Sequence, residues 1–168
     1  MITLRGFEER DHPLVQEVSK DPWIPMITSV PRTADRESAL AFVRRQHARL
    51  TDGVGYSFAV ADADGDGAIG QIGLWPQNGS GRASVGYWVA ERHRGRGVAT
   101  RALRLVSEWG FRVRDTQRLE LYVEPWNEGS WRAAERAGYL REGLLRSWQH
   151  VGDGRRDMFM YSLLRPTP

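Results

Sequence analysis

The sequence contains no cysteine in its 168 residues. This absence excludes disulfide bonds, thiolate metal ligands and a cysteine nucleophile. No apolar run approaches the roughly 20 residues that a membrane-spanning helix requires. The N-terminal segment Met1–Arg5 lacks the apolar stretch of a signal peptide. We therefore expect a cytoplasmic protein with no membrane partner.

Lysine is almost as scarce, because Lys20 is the only one. The 24 basic and 21 acidic residues leave a net charge of only +3. Nucleic-acid-binding domains usually show a concentrated basic face, so we expect no nucleic-acid partner. The four histidines are scattered without metal-ligand spacing, so we expect no metal site. The length and the even composition indicate one domain, covering residues 1–168.

The most informative segment runs from Tyr87 to Thr100. An apolar strand ends in a basic turn with two glycines, Gly95 and Gly97, and an amphipathic helix pattern follows directly. Unpaired amides and the positive end of the helix dipole favour an anion at such a helix start. The glycines let the backbone approach a ligand closely. The segment therefore predicts a diphosphate-binding site, to which the arginines at 92, 94 and 96 add charge.

The remaining pattern predicts a strand, two helices, three strands, a helix, a strand, a helix and two strands. Strands are expected at 56–61, 68–75, 83–90 and 119–123, with a helix from Gly97 to about Val113. Asn127 is expected to cap a helix that ends before Gly138. Residues 21–31 hold three prolines among apolar residues, which argues against a regular helix. That segment is either a loop packed on the core or a lid over a substrate pocket.

The spacing of Arg92, Gly95 and Gly97 after a fourth strand resembles the coenzyme A signature of the GNAT N-acetyltransferase superfamily. Three further motifs resemble its RimJ/RimL branch. They are the strand sequence Gly-Tyr-Trp-Val at 86–89, the Asn127-x-x-Ser130 pair with its following Ala-Gly-Tyr, and the C-terminal pattern from residue 141 to 164. The resemblance covers nearly the whole chain, with the motifs in the expected order.

This resemblance implies a mixed, mostly antiparallel α/β sheet with flanking helices. It also implies a splayed pair of parallel strands that holds acetyl-CoA. The backbone of the fourth strand would hold the pantetheine, the following turn would hold the pyrophosphate, and Asn127 and Ser130 would contact the pantetheine arm. The cofactor-binding residues expected on this basis are Trp88, Val89, Ala90, Arg92, Arg94, Gly95, Arg96, Gly97, Val98, Ala99, Thr100, Asn127 and Ser130.

The implied reaction is the attack of an amine on the thioester carbonyl, which needs a base, an oxyanion donor and a proton for the thiolate. The resemblance suggests Glu120 as the general base, with Glu124 in reserve. The alternative for Glu120 is a structural carboxylate paired with arginine. The backbone N–H of Val89 is the candidate oxyanion donor. Many relatives carry a tyrosine acid where this chain has Ala134. RimJ/RimL-type proteins instead often carry a serine three residues after the asparagine, so the resemblance implies Ser130 as the catalytic candidate.

Several functions remain open at this stage. The acceptor is expected to be a protein N-terminal amine or a small-molecule amine, and an aromatic wall of Trp23 and Trp148 is expected to bind it. The acyl donor is expected to be acetyl-CoA, with succinyl-CoA as the alternative because of the arginine excess. A non-catalytic acyl-CoA sensor is the alternative from another class. A monomer or a homodimer is expected.

Overall fold

The computed structural model describes residues 1–77, 79–113 and 115–167. Its strands form one sheet in the order β1-β2-β3-β4-β5-β7-β6. The strands are β1 Ile2–Arg5, β2 Tyr56–Asp62, β3 Ala68–Gln77, β4 Arg82–Val89, β5 Arg118–Val123, β6 Leu140–Val151 and β7 Gly154–Leu164. The helices are α1 His12–Val18, α2 Ile24–Ile27, α3 Arg36–Thr51, α4 Val98–Val113 and α5 Glu128–Arg136. Within the described ranges, none of the helices has both the length and the apolar character needed to cross a bilayer.

The sheet is antiparallel except where β4 lies beside β5. These two strands are connected through α4, as a parallel pair requires. Their described pairing extends only from Arg82 opposite Arg118 to Ser84 opposite Glu120. Both strands continue for several residues past that point, so their later parts separate and leave a gap in the sheet. The expected mixed, mostly antiparallel α/β sheet with one splayed parallel pair is confirmed.

Helices cover both faces of the sheet, and each face has its own apolar core. On one face α4 contributes Leu103 and Val106, which pack with buried strand residues such as Leu119. On the other face α1 and α3 contribute Val15 and Phe42 among others. The three-to-four-residue spacing of apolar positions in α4 explains why it lies flat on the sheet. The gap between β4 and β5 is therefore bordered by a rigid scaffold.

The helix boundaries follow from local capping groups. The side chain of Asp35 accepts a hydrogen bond of 2.8 Å from the amide of Ser38 at the start of α3. Asn127 does the same for the amide of Ser130 at the start of α5, at 3.2 Å. Gly138 follows the end of α5 with a φ of +97°, a conformation that glycine adopts without strain. The helix boundaries expected at Asn127 and Gly138 are confirmed.

The prediction that residues 21–31 form no regular helix is wrong for one turn, α2. Pro25 lies in the first turn of that helix, where no backbone N–H is required. The side chain of Asp21 accepts hydrogen bonds from the amides of Trp23 and Ile24, at 2.8 and 3.0 Å, and so caps the turn. Trp148 lies within β6, because the last hairpin extends to a tight turn at residues 152–153.

Candidate active site

Two cavities lie on either side of the point where β4 and β5 separate. The first, here called the cradle cavity, has a volume of about 420 Å³ and lies between the end of β4, the start of α4, α2 and α5. The second, here called the strand cavity, has a volume of about 350 Å³ and lies along the gap between β4 and β5. The two share the lining residues Ile27, Tyr87, Trp88, Asn127 and Ser130. Ligands in the two cavities would therefore meet at this junction.

The cradle cavity contains the turn that the sequence predicts to bind a diphosphate. Gly95 and Gly97 each have a φ of +73°, which side chains other than glycine rarely adopt. A Cβ added at Gly95 would meet no atom within 4 Å, so this backbone borders open space. The first hydrogen bond of α4 runs from Arg101 N to Gly97 O. Among the described residues, the amides of 95–100 have no protein acceptor, which suits an anion.

The arginines of this turn divide into two groups. Arg94 lines the cradle cavity, where its guanidinium forms an ion pair of 2.6 Å with Asp21. Arg92 instead forms an ion pair with Glu17 of α1. Neither Arg92 nor Arg96 lines the cavity as described. The positive charge near the expected pyrophosphate therefore comes only partly from the predicted residues.

Two arginines of α5 line the cradle cavity and were missed by sequence reasoning. Arg132 and Arg136 are four residues apart, so they lie on one face of the helix. Gly129, one turn earlier, lines the same wall. The signal was available in the spacing of 129, 132 and 136. This spacing could be interpreted only from the fold, which places α5 against the start of α4.

The gap-facing edge of β4 is defined by its backbone hydrogen bonds. The amide of Ala90 donates to Ile69 O of β3 at 3.0 Å, so it points away from the gap. Successive residues of a strand direct their polar groups to opposite edges. Val89 accordingly faces the gap, and its carbonyl accepts a 3.0 Å hydrogen bond from Arg94 Nε. The structure thus supports Val89 as an available donor and argues against the same role for Ala90.

Glu120 is 1% exposed and has several hydrogen-bonding partners. Arg118 Nε and the hydroxyl of Tyr122 donate to its carboxylate at 2.8 and 3.0 Å. Longer bonds come from Gln77 and Arg82. Burial by itself raises the pKa of Glu120, but these hydrogen bonds and the arginine charges outweigh it and lower the pKa. This geometry favours the structural interpretation of Glu120 over the catalytic one.

Glu124 lies four residues beyond Glu120, directly after the end of β5, and it lines the strand cavity, unlike Glu120. Its side chain is 7% exposed, and its nearest cation is Arg156, at 3.9 Å. Continuing the β4–β5 register by four residues from Ser84 and Glu120 places Glu124 level with Trp88 across the gap. The reserve candidate therefore has the position that a base at the junction requires.

Tyr87 and Ser130 form a hydroxyl pair at the junction of the two cavities. Their oxygen atoms are 2.7 Å apart, and the Tyr87 hydroxyl also donates to Ser130 O at 3.1 Å. Burial raises the pKa of Tyr87 to about 12, so its hydroxyl stays protonated at neutral pH. Ala134, where relatives carry a tyrosine, is fully buried in the core. Sequence reasoning placed Ser130 here and missed Tyr87.

The two tryptophans expected to form the acceptor wall have separate partners. Trp23 lines the cradle cavity and packs on Trp126, with ring centroids 4.7 Å apart. Trp148 stacks on Tyr122 at 5.7 Å. Tyr122 lines the strand cavity, whereas neither Trp23 nor Trp148 does so. The tryptophans that do line it are Trp88 and Trp75, of which sequence reasoning left Trp75 unassigned.

Comparison with known proteins gives concordant results. The sequence model of the family described as "Acetyltransferase (GNAT) domain" matches residues 1–140. The uncharacterized N-acetyltransferase p20 of Bacillus licheniformis is 27% identical over 165 residues, which covers 98% of this chain and 93% of that protein.

Two solved structures have the same fold along almost the whole chain. RimJ of Mycobacterium smegmatis, in complex with a CoA disulfide, superposes with a TM-score of 0.81 at 26% identity and covers 97% of this chain and 81% of its own. RimL, a ribosomal L7/L12 alpha-N-protein acetyltransferase in complex with coenzyme A, superposes with a TM-score of 0.81 at 19% identity. The match to RimL covers 97% of this chain and 93% of that one.

Proposed function

The chain belongs to the GNAT acetyltransferase family, and from this premise we propose that it transfers the acetyl group of acetyl-CoA to a primary amine in a ternary complex. The observation that carries the proposal is the junction of the cradle and strand cavities at Tyr87, Asn127 and Ser130. The donor would occupy the cradle cavity and the amine the strand cavity. The reacting atoms would then meet at the junction.

The residues of the cradle cavity fit the diphosphate of coenzyme A. The unpartnered amides of 95–100 and the positive end of α4 would hold the phosphates. Arg132 and Arg136 would add charge from α5. Asn127 uses its side-chain oxygen for the helix cap, which leaves its NH₂ group to donate to the pantetheine. The proposal thus assigns Asn127 both roles expected from the sequence.

The attacking amine must lose a proton, since free amines have pKa values above neutrality. We assign the proton lost in the attack itself to Glu124, which lines the strand cavity level with Trp88. The backbone N–H of Val89 would donate to the thioester oxygen from the opposite side of the gap. An oxyanion donor of this kind is typically worth about 3 kcal/mol. The ammonium form loses its first proton to solvent, and the new carbon–nitrogen bond forms while Glu124 accepts the second proton from the amine nitrogen.

The carbon–sulfur bond then breaks, and the sulfur leaves with the electron pair as a thiolate. Tyr87 and Ser130 lie where they would donate hydrogen bonds to that sulfur. With a pKa of about 12, the Tyr87 hydroxyl stabilises the thiolate by hydrogen bonding without giving up its proton. A thiol is far more acidic than an alcohol, with a pKa of about 8.5 for the cysteine side chain, so a strong acid is not required for a thiolate leaving group.

A pair of glycine variants tests the donor site. Gly95 and Gly53 both have φ values near +70° and no atom within 4 Å of an added Cβ. A leucine at either position should therefore cost similar backbone strain, of about 1–2 kcal/mol. We expect Gly95→Leu to weaken coenzyme A binding at least tenfold by calorimetry, and Gly53→Leu to leave it unchanged. Equal affinity in both variants would place the donor elsewhere.

Turnover is tested separately, by the release of free thiol from acetyl-CoA with a panel of primary amines. Protein N-terminal peptides belong in that panel because RimL is described as acting on the alpha-amine of a ribosomal protein. Small amines belong in it because the strand cavity has the volume of a small-molecule site. Tight coenzyme A binding with no thiol release from any amine would favour the sensor alternative.

A further inference from the structure

Arg49 of α3 lines the strand cavity, and within the part of the chain that the structure describes it has no carboxylate partner. Its Nη2 atom donates to Ser29 Oγ at 3.0 Å. Its Nε atom is buried and, among the described residues, has no hydrogen-bond partner. Among the described residues, the charged group that influences the pKa of Arg49 is Arg45 and not an acidic group; burial is the other influence. A buried donor without an acceptor is costly, unless a ligand supplies the acceptor.

Arg45 does not line the cavity, but it brings a second guanidinium to Ser29, which does. Its Nη2 atom donates to the carbonyl of Ser29 at 3.1 Å, so both arginines hold the same residue. Burial first, and then repulsion from Arg45, lower the pKa of Arg49. Both effects would be relieved by an anion beside Arg49. This end of the strand cavity is therefore electropositive.

The guanidinium of Arg49 is held in position by Trp75. Its carbon lies 5.6 Å from the centre of the indole ring. The ring in turn lies against Gly73 and Gly86, where an added Cβ would come within 2.5 and 3.1 Å of it. A guanidinium stacked on a fixed aromatic ring presents its planar fork in one direction. Such a fork suits the two oxygens of a carboxylate.

We propose that Arg49 binds a carboxylate of the acceptor, so that the amine substrate is one that carries its own carboxylate. This inference rests on the proposed function, because it assigns the strand cavity to the amine. Glu124 would receive the amino group at the junction, and Arg49 would receive the carboxylate further along the gap. A zwitterionic acceptor matches both charges. Polycationic amines would be repelled by Arg45 and Arg49.

The geometry favours the acceptor over the donor as the source of this carboxylate. The Trp75 ring lies against Gly86, three residues before Val89 on β4. Three strand residues span about 10 Å. A succinyl donor carries its carboxylate only two methylene groups from the thioester, which would lie at Val89. The acyl chain of succinyl-CoA is therefore short for Arg49, and so is the α-carboxylate of a free amino acid, whereas a side-chain carboxylate on the second residue of a peptide acceptor extends further towards it.

The experiment uses the full chain with matched acceptor pairs that differ only in charge. One arm compares free α-amino acids with their carboxamides. A second arm compares tripeptide amides that carry glutamate or glutamine at the second position, which separates an α-carboxylate from a side-chain carboxylate. Binding to the coenzyme A complex is measured by calorimetry, and transfer by thiol release from acetyl-CoA and from succinyl-CoA.

We expect the carboxylated member of at least one pair to be preferred. Loss of a charge-assisted hydrogen bond costs about 1.5–3 kcal/mol, so Arg49→Gln should reduce that preference by about 10- to 100-fold. Arg49→Lys, which keeps the charge, should restore part of it. The control is Arg44→Gln, since Arg44 lies on the same helix, is 69% exposed and contacts only Glu9 at 3.8 Å. Coenzyme A affinity should be equal in all three variants.

The outcomes separate this inference from the proposed function. Binding of carboxylated amines without acetyl transfer would support the role of Arg49 and refute the proposed activity. Equal handling of both members of every pair would overturn the inference, as would a preference that persists in Arg49→Gln. A preference for succinyl-CoA that depends on Arg49 would assign the carboxylate to the donor and overturn it as well.

Discussion

Replacing Glu120 and Glu124 by glutamine should have different consequences, although the sequence pattern treats the two residues alike. Glutamine has nearly the shape of glutamate but carries no charge and accepts no proton from an amine. Glu120→Gln weakens the hydrogen bonds from Arg118 and Tyr122. Glu124→Gln disturbs only a 3.9 Å contact with Arg156, whose side chain is 44% exposed. We therefore expect Glu120→Gln to reduce stability and Glu124→Gln to reduce the rate.

The magnitudes follow from these contacts. Arg118 keeps its bond of 2.8 Å to Glu142 in the variant, and Arg82 is 48% exposed, so its contribution is small. The loss of one or two charge-assisted bonds leaves a cost of about 2–3 kcal/mol for Glu120→Gln. For a domain of this size that corresponds to a drop of about 4–12 °C in Tm. Glu124→Gln should lower kcat/KM by about 10²- to 10⁴-fold, as loss of a general base does.

The assays are thermal unfolding and thiol release, each carried out on both variants at several pH values. The pKa of Glu120 lies below its ordinary value of 4.5, so its stabilising effect is complete above that pH. That effect is lost as the pH falls through the lower pKa of the folded state. The Tm difference between wild type and Glu120→Gln should thus be constant above pH 5 and shrink below it. A large rate loss in Glu120→Gln at unchanged Tm, with normal turnover in Glu124→Gln, would refute the reasoning.

Two further predictions concern the junction and the indole of Trp75, here called the floor of the strand cavity. Tyr87→Phe should lower kcat by about tenfold or more while coenzyme A affinity stays constant, and Ser130→Ala should have a smaller effect. Steady-state kinetics would measure kcat, and calorimetry would measure the affinity. An unchanged kcat in Tyr87→Phe would exclude the hydroxyl pair from the mechanism. Gly86→Ala should displace the indole of Trp75, whose atoms lie 3.1 Å from the added Cβ, and should raise KM for the amine. Gly143→Ala, with no atom within 4 Å, is its control, and equal KM values in the two would contradict the role of the floor.

The cradle was predictable from the sequence because its chemistry is local. Gly95 and Gly97 must adopt a positive φ to turn the chain, and the helix that follows necessarily begins with unpaired amides. The cap formed by Asn127 is local for the same reason, since its acceptor and the amide of Ser130 are three residues apart. Such features need few residues and no knowledge of the rest of the chain. The mixed sheet was predictable from the order of its strands and helices.

The sequence does not distinguish the two candidate carboxylates. Glu120 and Glu124 are an even number of residues apart, so a strand pattern places them on the same face and treats them alike. Only the structure shows that β4 and β5 remain paired at Glu120 and have separated before Glu124. The side chain of Glu120 is therefore enclosed by residues of the paired strands, whereas that of Glu124 lines a cavity. Ala90 was misassigned for a similar reason, since the edge to which an amide points depends on the register with β3.

What the sequence alone determined about this protein is how it would hold a diphosphate, because that site is built from one continuous turn. What the tertiary structure decided is the other half of the site, where α3 brings Arg49 to the gap and β3 brings Trp75 beneath it. These residues are distant from the cradle in sequence, and each has an ordinary role by itself. They can act together only when folding places them around one cavity. For this reason the proposed acceptor end of the site could not be predicted from the sequence.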